Sequence, residues 1–410
     1  EISYRHATFA EIEFEEPYLN LCELLERSNR VNEGLFVIKN APGRFGTKQS
    51  EFLLQEAWLE LRKDNHGVSQ ELITRINEEE LPKEKKPLYF KVLAECHISN
   101  SDYKKAFELF RAMNEAVKNS PQYESQVAEK YFQQQRKNVL EVGQLQKSIP
   151  FNSSIKANNP EPTFLVGFPR SGTTLLDTVL RTHSKICVIE EEPLVDSMEY
   201  ALGGFSSISA IEEINAELAE NLSAIYLQKL RRFCKIDEGI ITIDKLPLNI
   251  LKIPLINRVF PEAKIILSLR HPLDCIMSSW MQLFKLNDAM GNMVDLDRIV
   301  EFYCVTMEMF SLCQERYKLN VHTVHYESLV TDLKGEVTTI LHFLNLDWQP
   351  ELVNYNQTAI SRGIINTPSY SQVIKPIYRT ASYRWKNYEK HLEKYHSTLE
   401  PWYEKFGYYI

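Results

Sequence analysis

Gly167-Phe168-Pro169-Arg170-Ser171-Gly172-Thr173-Thr174 sets two glycines around small hydroxyl residues, directly after the apolar run Phe164-Leu165-Val166. Leu175, Leu176, Val179 and Leu180 then recur at helical spacing. A buried strand, a glycine loop and a helix make an anion cradle: glycine lets the backbone come close, successive N–H groups converge, and the helix dipole presents its positive end. Thr173 stands where a nucleoside-triphosphate loop has its lysine, and Arg170 lies on the loop instead. That favours a shorter anionic group over a triphosphate held beside magnesium. The same residues also fit a ligand-free strand–turn–helix joint.

Two further acidic sites stand at strand ends. Ile186-Cys187-Val188-Ile189 runs into Glu190-Glu191-Glu192-Pro193, so carboxylates sit at the C-terminal end of a second short strand, where ligands bind in open parallel sheets. They suit a general base, or simply a solvated acidic turn. The apolar strand Gly239 to Ile243 ends in Asp244-Lys245. An aspartate there also fits a P-loop kinase or NTPase that holds magnesium through Asp244. Further strands are expected at Ala263–Leu269 and Val321–Tyr326, with helices at Ile208–Phe233, Asp295–Tyr317, Val337–Leu344 and His391–Tyr409.

The run FLVGFPRSGTTLLDTVLRTH resembles the 5′-phosphosulfate loop of sulfotransferases that use 3′-phosphoadenosine 5′-phosphosulfate (PAPS), and DKLPLN, the Arg270-His271-Pro272 turn, YESLVTDL and LNLDW support the likeness. The relatives it suggests are tetratricopeptide-linked sulfotransferases and tyrosylprotein sulfotransferases. The resemblance implies Arg170, Ser171, Gly172, Thr173 and Thr174 as the donor loop. It implies Glu191 as the base, eight residues after His183, with Glu190 and Glu192 as the alternatives. Lys245 would offset charge on the bridging oxygen. Arg270 and Ser278 would hold the 3′-phosphate, Tyr326 would approach adenosine, and Ser369 and Arg384 would come from a segment folded over the nucleotide. Glu327 is expected to cap local structure. PAP is then the product, and no metal is implied. Pro193 stands where peptide-sulfating members carry a basic residue, and the acceptor stays open among small molecules, glycans and peptides.

The elements that must position these residues divide the chain. Residues 1–150 show helical periodicity, and the pattern over 87–121 resembles one tetratricopeptide unit, with Asn100-Ser101-Asp102 as its turn. Ile149–Pro162 reads as a linker, and residues 160–410 as a P-loop-like three-layer α/β/α sulfotransferase domain with a central parallel sheet. The helical part is expected either to pack as a bundle or to bind a protein partner or a second copy, and a non-catalytic scaffold is the third functional reading. A formal charge of −8 argues against nucleic acid as the main partner. No apolar run is long enough to span a membrane, and the N-terminus lacks a signal-peptide pattern, so a cytoplasmic protein is expected; the chain starts without Met, which leaves room for a trimmed leader. The seven cysteines, among apolar neighbours and with no C-x-x-C pair, are expected to be reduced, without a disulfide framework or zinc site.

Overall fold

The computed structural model describes all residues except 11–14, 43–45, 47, 146–160, 205–206, 236–238, 363–372, 374–380 and 410. Five strands form one parallel sheet in the order β2-β3-β1-β4-β5: β1 Thr163–Gly167, β2 Ile186–Glu190, β3 Ile241–Lys245, β4 Lys264–Leu269 and β5 Asn320–His325. β1 is central, with β3 on one side and β4 on the other, so every one of its residues is buried. That explains its unbroken apolar run. Because the chain passes to opposite sides of β1, the crevice at the C-terminal strand ends opens there, and the glycine loop follows β1 into it.

Side-chain alternation builds the layers. Phe164, Val166, Ile265, Leu267 and Leu269 point into one apolar cluster, with helices Ala216–Leu230, Ile253–Val259, Pro272–Trp280 and Leu296–Arg316. Leu165, Val188, Ile243, Ile266 and Val324 point the other way, against helices Thr173–Arg181 and Leu333–Phe343. The result is the three-layer α/β/α arrangement expected from the alternating pattern.

Eight helices among the described residues precede the sheet. The pair Lys86–Ser99 and Tyr103–Lys118 is joined by a turn in which Ser101 takes φ 60° and Asp102 caps the second helix by accepting from Lys105 N at 3.1 Å. Ala94 and Ala106, both fully buried, permit the close approach. Phe107, Phe110, Met113, Tyr131 and Phe132 belong to the same apolar cluster as Phe164 and Trp280, so this half packs directly against the sheet's helices. No helix among the described residues is long and apolar enough to cross a membrane.

One expectation is corrected. Cys187 and Cys234 are joined in a disulfide, with Cα atoms 6.5 Å apart, whereas Cys22, Cys96, Cys275, Cys304 and Cys313 are free thiols. Cys187 lies on the edge strand β2 and Cys234 follows helix Ala216–Leu230. The pairing joins residues 47 positions apart, which local spacing does not reveal.

Candidate active site

The loop after β1 owes its shape to close contacts. A Cβ on Gly167 would stand 2.5 Å from the Ser268 carbonyl oxygen, and one on Gly172 would stand 2.6 Å from Tyr326 Cδ2. Gly172 also has φ +102°, so this position needs glycine on both counts. Ser268 Oγ donates to the Ser171 carbonyl at 3.0 Å and fastens the loop to β4. Gly172 precedes helix Thr173–Arg181 without a side-chain cap, so the positive end of that helix faces the loop. Thr173 and Thr174 are buried at this end.

Lys245 ends β3 on the face toward that helix. Its side chain is wholly buried, and Nζ donates to Glu191 Oε1 at 3.1 Å and Glu190 Oε1 at 3.2 Å. Asp177 Oδ2 stands 3.9 Å away, beyond hydrogen-bond reach, so one N–H of the ammonium is uncommitted. Arg181 pairs with Asp177 at 2.8 Å, and Arg362 pairs with both Glu190 and Asp177. Among the described residues three cations thus face three carboxylates. Burial alone would pull the Lys245 ammonium down, but Glu191, Glu190 and Asp177 outweigh it and raise its pKa.

The same field separates the acids. Glu190 is desolvated, yet Lys245 and Arg362 more than compensate and hold it below the usual carboxylate range. At Glu191 burial prevails over Lys245, and its pKa is raised. Glu191 also has φ 53° and anchors its N–H on the Lys245 carbonyl at 2.8 Å, which turns its side chain back beside the lysine. For Glu192 the structure adds no comparable contact.

A second cationic group lies on the other side of the loop. Arg170, at φ 69°, donates Nε to Ser278 Oγ at 3.0 Å. Arg270, buried at the end of β4, donates to the Arg170 carbonyl at 3.1 Å and the Ala381 carbonyl at 2.5 Å, and its guanidinium lies 4.8 Å over the Tyr326 ring. Its Nε is buried without a partner, an orphaned donor beside the loop. Asp274 stands 3.7 Å from Arg270 and accepts from Tyr383 N at 2.6 Å and Trp385 N at 3.0 Å. Arg384, the first residue of the turn Arg384–Tyr388, lies in the chain between the two residues that Asp274 holds; Ser369 lies outside the described residues.

Other residues have structural roles. Glu327 accepts from His271 N at 2.9 Å and Tyr408 Oη at 3.0 Å, a local tie as expected. Asp244 faces away from the loop helix, accepts from Tyr226 Oη at 3.1 Å, and burial pushes its pKa up to about 7. A buried carboxyl so placed is unsuited to hold magnesium at the loop. Among the described residues no group of His, Cys, Asp or Glu is arranged as a metal site. Asp177, Arg362 and Asp274 escape the sequence reading. Asp177 has a signal, an acid inside the apolar helix stripe Leu175-Leu176-Asp177-Thr178-Val179; Arg362 has none, because its partners lie across the fold.

Residues 162–350 match the model described as "Sulfotransferase family". An uncharacterized protein of Aquifex aeolicus (strain VF5) is 27% identical over 364 residues, covering 86% of this chain and 46% of its own length. Protein-tyrosine sulfotransferase A of Caenorhabditis elegans is 22% identical over 268 residues (58% of this chain, 66% of that protein). Protein-tyrosine sulfotransferase 1 of Danio rerio is 25% identical over 240 residues (54% and 64%). The chain spans less than two thirds of each of these relatives. Among solved structures, the sulfotransferase domain from the curacin biosynthetic pathway aligns over 55% of this chain and 90% of its own at 18% identity, TM-score 0.39. The sulfotransferase domain from the Synechococcus PCC 7002 olefin synthase aligns over 59% and 91% at 21% identity, TM-score 0.38. With the parallel sheet and the glycine loop in place, the matched region, residues 162–350, belongs to the sulfotransferase family.

Proposed function

We propose that the chain transfers a sulfuryl group from PAPS to an acceptor hydroxyl or amine and releases PAP. The observation that carries this reading is the contact of Glu191 with Lys245 at 3.1 Å, where β2 and β3 end beside the glycine loop. The carboxylate takes the acceptor proton while the acceptor oxygen or nitrogen forms its bond to sulfur. The bond from sulfur to the bridging oxygen breaks in line, and its electron pair stays on that oxygen. The uncommitted Lys245 N–H and the first-turn N–H groups at Thr173 and Thr174 offset the charge that develops there. Arg270 and Ser278 hold the 3′-phosphate, and Arg270's orphaned Nε and the planar fork of its guanidinium suit that task. Tyr326 flanks the nucleotide beside Arg270, and Arg384 and Ser369 are the further nucleotide-binding positions that the resemblance implies.

Calorimetry of PAP, AMP and ATP with wild type and Arg270→Ala tests the proposal. Binding of PAP that is tighter than that of AMP, independent of magnesium and weakened in the variant supports it. Equal affinity for PAP and AMP, or a preference for magnesium-ATP, defeats it.

A further inference from the structure

Three cations are buried among the described residues: Lys91, Lys245 and Arg270. Lys245 and Arg270 each have a carboxylate within 4 Å. Lys91 has none. It comes from the helical half, on helix Lys86–Ser99, and is only 6% exposed. Its Nζ donates to Gln282 Oε1 at 3.3 Å and lies 5.4 Å over the Trp58 ring. With a neutral amide and an indole face as neighbours, the ammonium has no carboxylate in contact among the described residues. Elsewhere in the helical half the rule is kept: the side chain of Arg62, a residue only partly buried as a whole, is paired with Glu26 at 2.8 Å.

The place that Lys91 reaches is specific. Gln282 follows Ser278 by four residues, and the helical turn continues between them through Met281 N to Met277 O at 3.0 Å and Gln282 N to Ser279 O at 3.1 Å. Ser278 and Gln282 therefore lie one turn apart on one face. Ser278 Oγ holds Arg170 and Gln282 holds Lys91, so two cations from opposite halves of the chain converge on that face. Burial lowers the Lys91 pKa to about 8; Glu95, one turn on along its own helix, and Glu26 offset part of this, while Arg170 and Arg62 add to it. A buried ammonium with no carboxylate in contact among the described residues, one helical turn from the hydroxyl that Arg170 meets, suits an anion bound at that face.

We propose that Lys91 is a ligand-binding residue supplied by the helical half, completing with Arg170, Ser278 and Arg270 the pocket for the nucleotide's 3′-phosphate. This rests on the PAPS reading above. It gives the helical half a direct part in donor binding, distinct from any part in choosing an acceptor.

The test is calorimetry of PAP and of AMP, which lacks the 3′-phosphate, with wild type, Lys91→Met and Lys91→Arg. The Met variant is expected to weaken PAP by roughly 10-fold while AMP changes less than about 2-fold, and Arg to restore most of the loss. Should the Met variant not fold, Lys91→Gln carries the same comparison. Wild type that binds PAP no better than AMP would overturn the 3′-phosphate reading itself. Wild type that prefers PAP, with the preference intact in the variant, would overturn the role of Lys91 alone. Equal losses for PAP and AMP would assign Lys91 to packing and likewise overturn it.

Discussion

Lys245 Nζ lies 3.1 Å from Glu191 and 3.2 Å from Glu190, yet the two acids are pushed in opposite directions. Arg362, which pairs with Glu190 and not with Glu191 among the described residues, and Arg181 pull Glu190 down, while burial, Glu190 and Asp177 push Glu191 up. Glu190 is thereby a charge partner, and Glu191 is the better proton acceptor. Glu191→Gln is expected to lower turnover by roughly 10²- to 10⁴-fold with little change in melting temperature. Glu190→Gln takes from Arg362 its nearer carboxylate, leaving Asp177 at 3.8 Å, and is expected to cost about 3 kcal/mol of stability, with the activity of the folded fraction reduced less than in Glu191→Gln. PAP release with a panel of phenol, sugar and amine acceptors, beside thermal unfolding, separates the two; equal activity losses per folded molecule would refute the division of roles.

The raised pKa of Glu191 sets a pH dependence. Only the ionised carboxylate accepts a proton, so kcat/KM falls as pH drops through that pKa. Burial lifts the acid limb above the ordinary glutamate value of 4.5, while Lys245 holds it down. Lys245→Met removes the restraint and is expected to move the limb of its residual activity to higher pH. A limb unmoved, or moved lower, would show that Glu191 is not the titrating base.

Asp244 offers a separate test. Its pKa rises from 3.8 to about 7, so between these values the folded state holds a proton that the unfolded state has lost, and stability declines as pH rises. Asp244→Asn carries no such penalty and is expected to flatten the pH–stability curve from about pH 4 to pH 7, gaining a few kcal/mol at neutrality. Its activity should stay near wild type. Abolished activity with intact folding would instead favour a magnesium-binding role.

Asp274 joins helix Pro272–Trp280 to the backbone at Tyr383 and Trp385. Asp274→Asn replaces a charged double acceptor by one carbonyl, and the expected cost is about 1–3 kcal/mol. Hydrogen exchange at the Tyr383 and Trp385 amides should speed up, and PAP should bind more weakly. Unchanged exchange at both amides would show that Asp274 does not hold this turn.

Much of this was legible in local pattern. Strands β1 to β4 fall at the apolar runs, because a strand largely buried writes itself in Val, Ile, Leu and Phe, whereas β5, at the sheet edge, reads Asn-Val-His-Thr-Val-His with only Val324 buried. Gly167 and Gly172 mark the loop, because only glycine tolerates such contacts. Asp102 announces its helix, because a cap acts within three residues. The disulfide between Cys187 and Cys234 was not legible, since nothing in the neighbourhood of either names the other.

The sequence by itself determined the order of elements, the glycine loop and the set of charged residues at strand ends, because periodicity, backbone freedom and strand polarity are local properties. Only the tertiary structure decided which charge meets which. It brought Arg362 to Glu190, turned Asp244 away from the loop, and set Lys91 beside Gln282 from far along the chain. Electrostatic roles depend on distance and burial to within a few ångströms, and those are settled only when the sheet closes and the helical half packs against it.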